Sequence, residues 1–199
     1  QWSISVAGRG TVKVDTARSK WIFGHAGGRS WDFSGGFNIT PLADNLQGGW
    51  GAVALTAVDG PDLSGARRLV VTALGAQMNT GEAFYTYPDT PVAWPPPEGT
   101  KLTVRNQWGA APPLVEGVPA VVTLPFAPSR VAAWALDNRG ARVSPLPVAD
   151  SGGMAQLTLT PTARALWYEV EVNQAVGLQV VKEACSTVIL QGDPALFTL

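Results

Sequence analysis

Hydrolysis of a glycosidic bond needs two carboxyl groups roughly 5 to 9 Å apart, and the 15 Asp and Glu residues of the chain offer many formal pairs. The most regular is Glu169 and Glu171, which a strand would hold on one face about 7 Å apart; a solvated strand face is the favoured reading of the pair. Nucleophilic chemistry is poorly provided for. The single histidine, His25, stands in Phe23-Gly24-His25-Ala26-Gly27-Gly28 with no Ser or Cys placed beside it by a motif, and reads as a loop or rim residue. One cysteine, Cys185, cannot form a disulfide framework, a Cys/His zinc site or a Cys-x-x-Cys pair. Asp59 and Asp62 flank Gly60-Pro61; they could ligate a structural calcium through carboxylate oxygens or cap an Asx-type turn. No other cofactor is expected, and the chain is not expected to be an enzyme by itself.

The aromatic residues are more informative. In Phe84-Tyr85-Thr86-Tyr87-Pro88-Asp89-Thr90-Pro91-Val92-Ala93-Trp94-Pro95-Pro96-Pro97-Glu98, five prolines remove backbone donors and fix φ. The segment is expected to be a stiff surface loop. Such a loop can hold Tyr85, Tyr87 and Trp94, with Trp108 beyond it, as flat platforms for the C–H faces of a sugar ring, while Asp89 and Glu98 bind hydroxyls. The competing reading folds Tyr87 and Trp94 back as a cap. A second cluster, Arg29-Ser30-Trp31-Asp32-Phe33-Ser34-Gly35-Gly36-Phe37, would put Trp31, Phe33 and Phe37 on one side if extended, as a binding face or as a half-buried hairpin. Trp50, Trp134 and Trp167 sit in or beside apolar runs and are expected in the core.

The elements that must position these residues are strands. With 22 Gly and 16 Pro in 199 residues, long helices are nearly excluded. The readable hydrophobic period is two, as in Val12/Val14, Leu102/Val104 and Leu157/Leu159. Ala52–Val58, Leu69–Leu74, Ala120–Leu124 and Val131–Leu136 are apolar apart from single threonines, as strands at a sandwich centre would be. Over 162–176, alternation gives Trp167, Glu169 and Glu171 one face and Tyr168, Val170 and Val172 the other; 178–191 also reads as strand. The expected fold is all-β: an antiparallel β-sandwich, immunoglobulin-like or jelly-roll-like, of about twelve strands. Residues 1–199 are read as one module, any sub-domain seam falling near 109–117.

Charge narrows the partners. Lys and Arg number 14 against 15 Asp and Glu, a net charge of −1, which provides no electrostatic footprint for nucleic acid or an anionic membrane. No apolar run is long enough to be a transmembrane helix. Low cysteine use with few lysines fits a secreted bacterial polypeptide, and a start at Gln1 is read as a processed form or a piece of something longer.

Several words occur in order: Val14-Asp15-Thr16-Ala17-Arg18-Ser19; Ala52-Val53-Ala54-Leu55-Thr56-Ala57-Val58-Asp59-Gly60; Arg67-Arg68-Leu69-Val70-Val71-Thr72-Ala73; Asn79-Thr80-Gly81. Then come Trp108-Gly109, Pro113-Leu114-Val115-Glu116-Gly117-Val118-Pro119-Ala120, Ala135-Leu136-Asp137-Asn138-Arg139-Gly140 and Leu166-Trp167-Tyr168-Glu169-Val170. Together they resemble the C-terminal β-rich region that follows the catalytic (β/α) barrel in many large bacterial glycoside hydrolases. The resemblance implies a non-catalytic β-sandwich linked covalently to a catalytic domain. Two roles are then expected: a carbohydrate-binding module for a polysaccharide, or a structural domain that packs on the barrel and binds no sugar. A small β-sandwich glycosidase or lyase is the third alternative. The aromatic, proline-rich insertion between Asn79 and Trp108 departs from the family pattern and favours the first.

Overall fold

The computed structural model describes residues 2–5, 10–43, 48–86, 90–93 and 100–173. These residues build an antiparallel β-sandwich with no α-helix among them; three short 3-10 turns, at Ser34–Gly36, Pro128–Arg130 and Pro161–Ala163, are the only helical turns described. Strands β1 (Trp2–Ser5), β2 (Thr11–Asp15), β3 (Ser19–His25), β6 (Trp50–Ala57), β7 (Arg68–Leu74), β18 (Trp167–Val172), β14 (Val131–Leu136) and β15 (Arg142–Leu146) form an eight-stranded sheet in that spatial order. The second sheet has five strands: β16 (Val148–Ser151), β17 (Met154–Leu159), β13 (Ala120–Leu124), β5 (Asn38–Pro41) and β4 (Trp31–Asp32). The chain crosses between sheets repeatedly, and β18 returns to fill the gap between β7 and β14.

Between β7 and β13 the chain makes an excursion. Strands β8 (Gln77–Thr80) and β12 (Ala110–Val115) pair as a two-stranded ribbon, and β9 (Phe84–Thr86), β10 (Thr90–Val92) and β11 (Leu102–Thr103) form a three-stranded sheet. The strand count therefore exceeds the twelve or so expected from sequence. Much of the surplus comes from pieces of two or three residues, such as β4, β9, β10 and β11, too short for a period-two pattern to register.

The alternation seen in the sequence is the alternation of burial. Strand β6 alternates half-buried and buried residues along its whole length, and β7 does so after exposed Arg68. Ile22, Val53, Leu55, Leu69, Val71 and Val170 from the larger sheet meet Ile39, Val122, Leu124, Leu157 and Leu159 from the smaller in one buried cluster. Tyr168, Val170 and Val172 face inward as the alternation requires. At the inward position before Ile22 the chain places a cation: Lys20 is buried, its ammonium donating to Asp15 Oδ1 (2.5 Å), the Thr16 carbonyl (2.8 Å) and Ser34 Oγ (2.7 Å). All three donors of the buried ammonium are thus satisfied. Burial raises the Asp15 pKa, but Lys20 and two hydrogen bonds from Ser34 outweigh it and hold the carboxyl at about 2. The network ties the 34–36 turn to the β2–β3 hairpin.

The second aromatic cluster belongs to this core. Phe33 and Phe37 are buried, Phe37 packing edge-on against Phe126 at 6.0 Å, and Trp31 leans on the cluster while its Nε1 donates to the Ala26 carbonyl (3.1 Å). The strand-like alternation expected for 31–37 is broken by the turn at 34–36, and Phe33 and Phe37 enter the core from its two sides. Packing explains them without a ligand.

Candidate functional site

Registers across the eight-stranded sheet define its outer face row by row. Val14, Trp21, Ala54, Thr72 and Trp167 lie side by side on consecutive strands β2, β3, β6, β7 and β18. One row along are Val12, Phe23, Ala52 and Leu74; in the other direction are Ser19, Thr56, Val70, Glu169 and Trp134. Directly paired residues of antiparallel strands point to the same side. Trp21, Phe23 and Trp167 are 44%, 41% and 38% exposed, whereas the residues between them are small or half-buried.

The result is a trough running along the strands. Its floor is β6 and β7, with Ala52, Ala54, Thr56, Val70, Thr72 and Leu74. One wall is Trp21 and Phe23 on β3, about 7 Å apart along the strand; the other is Trp167 on β18, about 14 Å across at three strand spacings. Local sequence forces this. Strand β3 reads Lys20, Ile22, Gly24 inward and Trp21, Phe23, His25 outward, so burying Ile22 leaves the aromatic pair outside. Gly24 has φ +104°, and a Cβ there would collide with the Gly10 carbonyl, so β2 can close on β3 only at glycine.

A charged quartet ends the trough. The Glu169 side chain is buried, with Oε1 on Arg68 (2.6 Å to Nη2, 2.8 Å to Nε) and Oε2 on Arg142 Nε (2.7 Å). Arg142 also pairs with Glu171 and lies 3.8 Å over the Trp134 ring. Arg142 holds the Glu169 carboxyl below its ordinary value; burial opposes this, and Arg68 adds to the lowering. Glu169 and then Glu171 raise the Arg142 guanidinium in turn. Such a carboxylate is fixed in its ionised form, the opposite of a glycosidase general acid, whose pKa must rise.

The residues read from sequence are distributed as follows. Tyr87, Asp89, Trp94 and Glu98 lie outside the described residues, as do 178–191 with Cys185. Tyr85 is half-buried in β9, paired with Pro91 and Thr103 rather than in an irregular loop, with the Arg105 guanidinium 5.5 Å from its ring. Trp108 is 63% exposed, its carbonyl accepting from Asn79 Nδ2 (2.9 Å). Ala83 N–H donates to the Gln107 carbonyl (3.1 Å), joining the stretches that carry Tyr85 and Trp108. Asp59 Oδ1 accepts from the Arg67 and Arg68 amides (2.9 and 3.0 Å) and Asp62 Oδ1 from Gly65 (2.8 Å). Both carboxylates thus cap backbone N–H groups of the turn, and among the described residues no group of three acidic, His or Cys side chains gathers for a metal. His25 ends β3 opposite Trp50, in a strand rather than a loop, with Nδ1 buried and without a hydrogen-bond partner among the described residues.

Three core expectations fail together: Trp50, Trp134 and Trp167 all stand on the outer face, half-buried or exposed. Their apolar neighbours in sequence fill the inner face, and the tryptophans take the positions between. Trp21 and Phe23 were missed in the sequence; the alternation over 19–25 is the signal that could have found them. No family model matches the chain, no curated protein matches it, and no solved structure matches its fold.

Proposed function

We propose that the chain is a non-catalytic carbohydrate-binding accessory module of a polysaccharide-degrading enzyme, and that the trough on the eight-stranded sheet is its glycan site. The observation that carries this reading is the exposure of Trp21, Phe23 and Trp167 as walls above a floor of small side chains. Exposed apolar patches on folded proteins mark interaction sites, and rigid rings bind with little loss of conformational entropy. A sugar chain laid along the trough would stack its C–H faces on the indoles, with Thr56, Thr72 and the exposed edge of Arg68 beside its hydroxyls. Tyr85 and Trp108 would make a secondary contact region. The ordered sequence words that resemble glycoside hydrolase accessory regions point the same way, as does the Arg-clamped state of Glu169, which suits binding and not acid catalysis.

The test is affinity electrophoresis of the chain against soluble glucan, xylan, mannan and galactan, followed by titration with the best ligand. Retardation by one class, abolished in Trp21→Ala/Trp167→Ala, supports the proposal; no retardation by any class overturns it. One observation favours the structural alternative, in which the same face packs on a catalytic barrel. The floor offers few polar groups, Ala52, Ala54, Val70 and Leu74 outnumbering the two threonines.

A further inference from the structure

A second surface lies at the end of the sandwich, apart from the trough. Among the described residues strand β12 pairs with β8 alone, and all six of its residues are exposed, Leu114 and Val115 among them. Along it runs an open groove of about 520 Å³, with Pro113, Leu114 and Val115 on one wall and Pro161, Ala165 and Leu166 on the other. No residue of β8 lines the groove, so it follows the free edge of β12. Alternation along β12 gives that edge its chemistry. The Pro112 carbonyl accepts from Thr80 Oγ1 (2.7 Å), and Glu116 bonds to Gly75 and Ala76 through its backbone (2.9 and 2.8 Å), so the even-numbered residues face β8. The backbone N–H and C=O of Val115 and the C=O of Pro113 therefore point away from β8, into the groove.

One charged side chain lines it, Arg164. Its backbone is left-handed at φ 48°, uncommon for a residue with a Cβ, and its guanidinium makes no ion pair with any described residue. Apolar walls, a short donor-and-acceptor edge and one uncompensated cation together specify an occupant. We propose that this groove binds an extended peptide segment of apolar residues carrying one carboxylate, added as a short strand to the edge of β12 with its acidic side chain on Arg164. The prolines at 112 and 113 have no N–H, so strand addition is confined to the hydrogen bonds around Val115. That makes the contact short and dependent on side chains.

Fluorescence anisotropy of the full chain with Thr-Val-Glu-Val-Thr-Val-amide carrying fluorescein on its N-terminal amine through a short spacer, against the same peptide with Lys for Glu, tests this. The acidic peptide should bind about tenfold more tightly, the difference should vanish in Arg164→Gln, and the Val115 amide resonance should shift on titration. Val115→Pro, which removes the one edge donor on an exposed strand, should weaken both peptides while leaving the melting temperature close to wild type. Equal affinity for the two peptides, or no saturable binding up to about 1 mM, overturns the proposal. So does concentration-dependent dimerisation of the chain without peptide that Val115→Pro abolishes, since the occupant would then be a second copy.

Discussion

The two outer faces of the sandwich are built on opposite plans. On the five-stranded sheet one row runs Asp32, Asn38, Thr123, Gln156 and Ala149, and the next runs Thr40, Val121 and Thr158. Asn38 Nδ2 donates to Ser30 Oγ and Asp32 Oδ1 (2.7 Å each), and Thr40 Oγ1 donates to Asn38 Oδ1 (3.0 Å). That face satisfies its polar groups laterally and offers water a hydroxyl and amide surface. The eight-stranded sheet instead exposes indoles and a phenyl ring over alanines. Both sheets use the same inward alternation and share one core, so the buried core does not dictate what each face shows outward. An apolar, aromatic exterior on this face alone is what the proposed glycan site rests on.

The largest effect is expected at the core residues that resemble a binding cluster. Phe37→Ala should cost about 3 to 5 kcal/mol and lower the melting temperature by roughly 10 °C or more, with glycan affinity per folded molecule unchanged; a stable variant with lost binding would move the site to 31–37. Next, Trp21→Ala and Trp167→Ala should each weaken the best glycan about 10- to 100-fold in calorimetric titration, while the melting temperature falls by only a few degrees. The reverse pattern, intact binding with a large thermal loss, would make the two outer faces alike in function and the trough rings structural.

Smaller effects sharpen the contrast. Glu169→Gln leaves Arg68 and Arg142 without their shared carboxylate and should cost about 1 to 3 kcal/mol in urea unfolding. The folded pKa of Glu169 lies below its unfolded value. Its contribution is therefore present above the ordinary glutamate pKa and is lost as pH falls. Asp15 behaves likewise: its folded pKa of about 2 against an unfolded value near 3.9 gives about 2 to 3 kcal/mol that is present above roughly pH 4 and lost as pH falls through about 2. Urea unfolding of Asp15→Asn across that range should be flatter than wild type. Smallest of all, Thr158→Ala on the polar face should shift stability by no more than about 0.5 kcal/mol and leave glycan binding untouched.

Sequence alone determined that the chain is all-β. The period-two patterns and the density of Gly and Pro point to strands packed in layers, and the alternation in 167–172 grouped its side chains by face. It also brought Glu169 and Glu171 to one face, though the paired arginines come from β7 and β15, 101 and 27 residues away from Glu169 in sequence. Alternation says which residues share a face, but not which face is inside. Trp50, Trp134 and Trp167 read as core because they neighbour apolar runs; which of two apolar sets is buried depends on what the opposing sheet offers, here the aliphatic rows of β13 and β17. For the same reason Phe33 and Phe37 were indistinguishable in sequence from a surface platform. Only the tertiary structure decided that Trp21 and Phe23, and Trp167 146 residues beyond Trp21, stand as the two walls of one trough, because strand order is set by long-range pairing that no local pattern encodes.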